Sequence, residues 1–153
     1  MKISLKYSVL LILLLSCLSC SSSRNHQGKT KDEQTNNSLY IKMGEQAALD
    51  KIVENLINII GQDDVMFPHF ANSNVSYFRK NLTLFLCDIV DGPCQYSGDT
   101  MQDIHRGMHI NKNQFNHFVE LFIEAMDASG ISYPIQNELL ARLAPLRKNI
   151  ISI

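Results

Sequence analysis

One histidine carries most of the chemistry legible in this chain of 153 residues. His105 lies within GPCQYSGDTMQDIHRGMHINKNQFNHFVELF, residues 92 to 122, on a short helical pattern with Met101, Ile104 and Met108 as apolar neighbours. A long amphipathic helix follows it. An imidazole offered from a short helix to an apolar helical pocket can act as an axial metal ligand, and such a setting suits haem iron on its proximal side. A lone histidine on an apolar face also describes an ordinary core or rim residue. The rest of the chain has to decide between the two.

Two other groupings could do chemistry. Cys87 and Cys94 lie seven apart, on the last turn of one helical pattern and just past a Gly-Pro turn. In an oxidising compartment they can form a disulfide. So short a loop would contribute about 2.5 kcal/mol on the chain-entropy account. The alternative is two buried free thiols. His105 and His109 are four apart, which on a helix puts both on one side and, with Cys87 or Cys94, could seed a zinc site. Neither Cys-x-x-Cys nor His-Glu-x-x-His supports that reading. No Ser-His-Asp arrangement or phosphate loop supports a hydrolase or kinase, and no catalytic residue is assigned.

Composition narrows the class. Net charge is -1, so no basic surplus points to nucleic acid. The start, MKISLK, is basic, and an apolar run from Tyr7 to Leu15 leads into SCLSCSSS. That pattern is a secretory leader, too short for a comfortable membrane span. Leu14-Leu15-Ser16-Cys17 resembles a bacterial lipobox, with Cys17 as the lipidated residue and Cys20 as a second candidate. An acyl chain would place the protein on a membrane of the bacterial envelope, facing the periplasm or the exterior, without spanning it. Residues 21 to 38, SSSRNHQGKTKDEQTNNS, hold no apolar anchor and read as a disordered tether. The organisation expected is therefore leader 1–20, tether 21–38 and folded domain 39–153.

The folded part reads as all-α. Leu49, Ile52, Val53, Leu56, Ile57 and Ile60 trace one buried face over residues 44 to 60. VMFPHFANSN should run irregular or as one helical turn. Ser73 or Asn74 can cap a second long helix, with Val75, Phe78, Leu82, Phe85, Leu86 and Ile89 inward, stopped by Asp91-Gly92-Pro93. A short helix over roughly 100 to 108 carries His105. Asn111 or Asn113 starts the next helix, with Phe115, Phe118, Val119, Phe122, Ala125 and Met126 on one face and Gly130 at its close. Pro134 opens the last helix, with Leu139, Leu140, Leu143 and Leu146 inward, and Pro145 should bend or interrupt its end. Four helices of these lengths can enclose one core.

These residues, in this order, resemble the truncated haemoglobins of group one, a two-over-two helical globin. The resemblance runs from Leu39 to about Ile150. It is carried by Leu39-Tyr40-Ile41-Lys42-Met43-Gly44, by Phe67-Pro68-His69-Phe70-Ala71, by Gly92-Pro93 with Tyr96 and Gly98, by Met101-Gln102-Asp103-Ile104-His105, by Asn113 to Phe118, and by Ala144-Pro145-Leu146. It implies haem as cofactor and His105 as the iron ligand. Phe70 would stack on the haem and Phe85 would touch it from the second long helix. Phe78, Leu82, Met108 and Phe118 would complete the apolar slot.

The distal side departs from the family pattern. Where many members place a Tyr and polar donors, this chain has Ile57, Phe78 and Leu82, with Asn81 the polar candidate nearby. A bound oxygen ligand draws negative charge, and losing one donor to it costs about 1.5–3 kcal/mol, roughly ten- to a hundredfold in affinity. Fast oxygen release is therefore expected unless Asn81 or His69 reaches the ligand. Carbon monoxide and nitric oxide should be less affected. The function implied is binding of a diatomic gas, with oxygen carriage or, given a redox partner that the sequence does not name, nitric oxide consumption with oxygen. Two rivals stay open: a globin-shaped sensor or interaction lipoprotein without haem, and an electron-transfer or peroxidase-like haem protein.

Overall fold

Gly44 separates the first long helix from a short one before it, Leu39–Met43, that the sequence reading did not assign. Its φ of +104° is left-handed, which glycine adopts without Cβ strain, and the chain turns there. The structure, a computed structural model, describes residues 38–151. The leader, with its lipidation candidates Cys17 and Cys20, and the tether up to residue 37 lie outside them. Ser38, assigned to the tether from sequence, is instead the N-cap of the first helix, its hydroxyl accepting from the Ile41 amide.

Seven α-helices and one 3-10 helix follow in the described residues. They are α1 (Leu39–Met43), α2 (Glu45–Ile60), α3 (Phe67–Phe70), α4 (Val75–Ile89), α5 (Met101–His105), α6 (Lys112–Ser129), α7 (Tyr133–Leu143) and the 3-10 helix Ala144–Asn149. Among these residues there is no strand, and no helix is long and apolar enough to cross a membrane. The expected all-α class holds.

The α2 helix is central. It packs on α6 along one side and on α4 along another, while α7 packs on α1 and α4. Leu49, Ile52, Val53 and Leu56 are fully buried at that junction, with Leu86 and Cys87 of α4, Ala125 and Met126 of α6, and Leu139 of α7. Apart from Cys87, these are positions the helical period selects, because side chains three and four apart share a face.

Local signals fix the ends. Asn74 caps α4, accepting from the Tyr77 amide. Asn111 caps α6 in a reciprocal capping box with Gln114. Gly130 ends α6 at a φ of +81°. Pro134 opens α7, and the helix gives way to the 3-10 helix at Ala144, just before Pro145.

Three expectations need correction. Val75 is 49% exposed rather than buried, since the first turn of α4 runs past the end of the core. The short helix expected over 100 to 108 stops at His105, and Gly107 and His109 both take positive φ. Ile104 is 44% exposed and is no apolar neighbour of His105.

Candidate functional site

Thr100 starts the segment that carries His105. Its hydroxyl accepts from the Asp103 amide and caps α5, and Asp103 in that first turn complements the helix dipole. A Thr-x-x-Asp cap is visible in the sequence and was a missed boundary marker. At the other end of the helix, His105 Nδ1 donates to the Met101 carbonyl at 2.7 Å. A carbonyl only accepts, so this bond places the proton on Nδ1 and leaves the Nε2 lone pair for a ligand or metal. Holding the second ring nitrogen in this way also fixes the ring's orientation.

The apolar residues assigned to the slot are half-buried at the margin of the core. Phe70, Leu82, Phe85 and Phe118 pack against the core, and so does Ile57 from α2. Phe78 joins them through Phe70, edge to face at 5.0 Å. Met108 is half-buried beyond the end of α5, which packs on the 3-10 helix. Aromatic and aliphatic side chains left half-covered at a core margin suit a flat apolar cofactor, and one imidazole with its lone pair on Nε2 suits its iron. The residues present therefore fit haem.

Both polar candidates near the distal positions are engaged. Asn81 donates Nδ2 to the Tyr77 carbonyl one turn earlier, at 2.8 Å. His69 Nε2 accepts from the Gln114 amide at 3.1 Å. Ile57, Phe78 and Leu82 leave the remainder of the distal assignment hydrocarbon.

Cys87 and Cys94 are joined by a disulfide across a Cα–Cα span of 5.8 Å. This overturns the zinc alternative, because a disulfide sulfur is no thiolate donor. His105 and His109 do not share a helix either, since α5 ends between them. Among the described residues no group of three or more His, Cys, Asp or Glu side chains could hold a metal ion.

Sequence reasoning missed the part Tyr96 plays. Its ring meets Phe85 edge to face at 5.3 Å, and its hydroxyl donates to the Asp99 carbonyl at 3.0 Å. Burial pushes the Tyr96 phenol above its ordinary value, helped by the neighbouring Asp99 and Tyr77. The tyrosine is visible in the sequence, but its partner, eleven residues away in another element, is not.

This architecture has known counterparts. The family model for bacterial-like globins matches residues 38–152. A group 1 truncated hemoglobin from Nostoc sp. (strain MUN 8820) is 30% identical over 114 residues, covering 74% of this chain and 97% of that protein. One from Tetrahymena thermophila is 27% identical over 111 residues, covering 72% and 92%. Among solved structures, the Fe(III) form of truncated hemoglobin from Tetrahymena pyriformis superposes with a TM-score of 0.73 at 23% identity, covering 76% of this chain and 99% of that one. The 2/2 hemoglobin of Synechococcus sp. PCC 7002 gives 0.70 at 19%, covering 74% and 98%. The expected two-over-two helical sandwich is therefore the fold, and haem is the cofactor the family implies. On this match, which takes in all the described residues, the chain belongs to the bacterial-like globin family.

Proposed function

We propose that the protein holds haem through His105 and binds a diatomic gas on the opposite, hydrocarbon-lined face. The observation that carries this reading is the bond from His105 Nδ1 to the Met101 carbonyl, which presents Nε2 as the ligating nitrogen. Haem held there would supply the iron that takes up the gas. Phe70, Phe78, Leu82, Phe85, Met108 and Phe118 exclude water from the cofactor and orient it. Ile57, Phe78 and Leu82 surround the gas with hydrocarbon. Asn81 is tied to its own helix through one amide proton and His69 to Gln114 through Nε2, so neither side chain turns freely toward the gas. Oxygen should consequently bind weakly and leave quickly, while carbon monoxide and nitric oxide lose less. Tight oxygen storage does not suit such a pocket. Brief oxygen carriage or nitric oxide chemistry does, the latter with an external reductant.

The second part of the proposal is the location. The basic-apolar leader ending at Cys17 or Cys20 supports export and acylation, with the globin domain held on the outer side of a bacterial envelope membrane. A paired Cys87 and Cys94 suits an oxidising compartment.

An absorption spectrum of the protein supplied with haem tests the first part, beside His105→Ala. A strong Soret band in the parent that is lost or shifted in the variant supports ligation by His105, and carbon monoxide added to the reduced parent reports an open distal position. A helical parent that takes up no haem sinks the proposal. Mass spectrometry of the membrane fraction tests the second part: a diacylated Cys17 or Cys20 supports it, and an unmodified chain in the cytosol contradicts it.

A further inference from the structure

The segment that carries His105 is held from outside itself. The α5 helix has five residues and no buried side chain, and its packing partner is the 3-10 helix. So short a helix is marginal alone, and its placement comes from the chain on either side. On the carboxyl side the first buried anchor is Ile110. On the amino side the anchors gather at the end of α4. The Tyr40 amide donates to the Val90 carbonyl at 2.8 Å, and the Gly92 amide to the Cys87 carbonyl at 2.8 Å. Arg142 donates to the Ile89 carbonyl and the Asp91 carboxylate, each at 2.7 Å.

The disulfide carries this anchoring two residues beyond Gly92, to Cys94, which packs against the core. Tyr96 takes it up from there. One face of the link is the Phe85 ring, which the haem reading places against the cofactor. The other is the Asp99 carbonyl, one residue before the Thr100 cap of α5. Gly98 leaves room for the Tyr96 ring, since a Cβ there would overlap the phenol. From Thr100 the order runs through the Met101 carbonyl to His105 Nδ1.

We infer that the Cys87–Cys94 disulfide and Tyr96 together position His105, holding the proximal imidazole in register with the Phe85 wall of the slot. The inference rests on the haem reading above. Neither the disulfide nor Tyr96 is a ligand. Each acts through the segment between Cys94 and Thr100.

The test compares the full chain, loaded with haem, with Cys87→Ala/Cys94→Ala, Tyr96→Leu and Tyr96→Phe. The readouts are the iron–histidine stretching band of the reduced protein by resonance Raman, the rate of haem transfer to excess apomyoglobin, and amide exchange at residues 101–110. Tyr96→Leu should shift or broaden the band and speed haem loss by about two- to tenfold, the range an aromatic pair of this kind commands, and the double cysteine variant should move both readouts in the same direction. Tyr96→Phe keeps the ring on Phe85 but loses the bond to the Asp99 carbonyl, and should fall between the parent and Tyr96→Leu in both readouts. An unchanged band and unchanged haem loss in Tyr96→Leu overturn the inference, whatever happens to the melting temperature. That variant also decides the matter if the double variant does not fold. A parent that takes up no haem overturns the haem reading instead. Amide exchange on the haem-free chain then settles the positioning, and equal exchange at 101–110 in parent and variants overturns it.

Discussion

His117 Nε2 on α6 donates to Asp63 Oδ2, just beyond the end of α2, at 2.7 Å. The other oxygen of Asp63 accepts from the Val65 and Met66 amides at 3.1 and 2.7 Å, capping the turn that leads into α3 and Phe70. One carboxylate thus ties the α2–α3 connection, and with it the short helix that carries Phe70, to the first third of α6. Burial pushes the Asp63 carboxyl up, but the Met66 amide and the His117 ring outweigh it and hold the group below its ordinary 3.8. The Asp63 bond raises His117 above its ordinary 6.5, against burial, with Glu120 helping.

These opposite shifts set a pH window. Asp63, lowered in the folded state, contributes stability above 3.8 that is lost as pH falls through its folded pKa. His117, raised in the folded state, contributes stability fully present below 6.5 that is lost as pH rises through its folded pKa. The denaturation midpoint of the parent should exceed that of His117→Gln most between those two values, with the gap narrowing on either side. A gap independent of pH would contradict the pairing.

Gly92 should not tolerate a side chain. A Cβ there would sit 2.6 Å from Cys87 Sγ and 2.8 Å from the Cys87 carbonyl oxygen, and neither a bridged sulfur nor a helical carbonyl can step aside. Gly92→Ala should cost about 1–3 kcal/mol, in the range of overpacked cores. Urea unfolding measures it, with a lower midpoint and an unchanged slope as the expected result.

Arg142 reaches from α7 to the end of α4, where the Ile89 carbonyl and the Asp91 carboxylate both accept from the same Nη1. Asp91 takes a φ of +59°, a strained value for a side-chain residue, so the guanidinium also steadies an awkward turn. Its side chain is partly exposed, which weakens the charge contribution. Arg142→Met should lower stability by about 1–2 kcal/mol and speed amide exchange at residues 90–94 ahead of α2.

Restoring a donor on the distal side should slow oxygen release. Leu82→Gln places an amide at a position assigned to the gas pocket, where a donor is worth about 1.5–3 kcal/mol, or roughly ten- to a hundredfold in dissociation rate. Carbon monoxide dissociation should change far less. Stopped-flow release of oxygen from the haem-loaded protein checks this, and equal rates in parent and variant would mean that Leu82 does not face the gas.

The helices, their caps and the buried face of α2 are local, and the sequence by itself determined them. Asn74 and Asn111 cap from their own side chains, Pro134 and Gly130 act on the chain where they stand, and a 3.6-residue period needs no partner to be read. The short helix that carries His105 was legible for the same reason: Met101 and the histidine lie within a few residues of one another. The period names a face but not where along its length a helix leaves the core, so Val75 was assigned inward and is exposed. Only the tertiary structure decided the relations between residues far apart in the chain: Asp63 with His117, Arg142 with Ile89 and Asp91, and Gln136 buried with its amide donated to Asp127 and the Ile131 carbonyl. It also decided which nitrogen of His105 carries the proton, which depends on a carbonyl lying at hydrogen-bond distance. Such partners are chosen by how the helices pack, and pairing energy depends on distances in space that a sequence pattern does not contain.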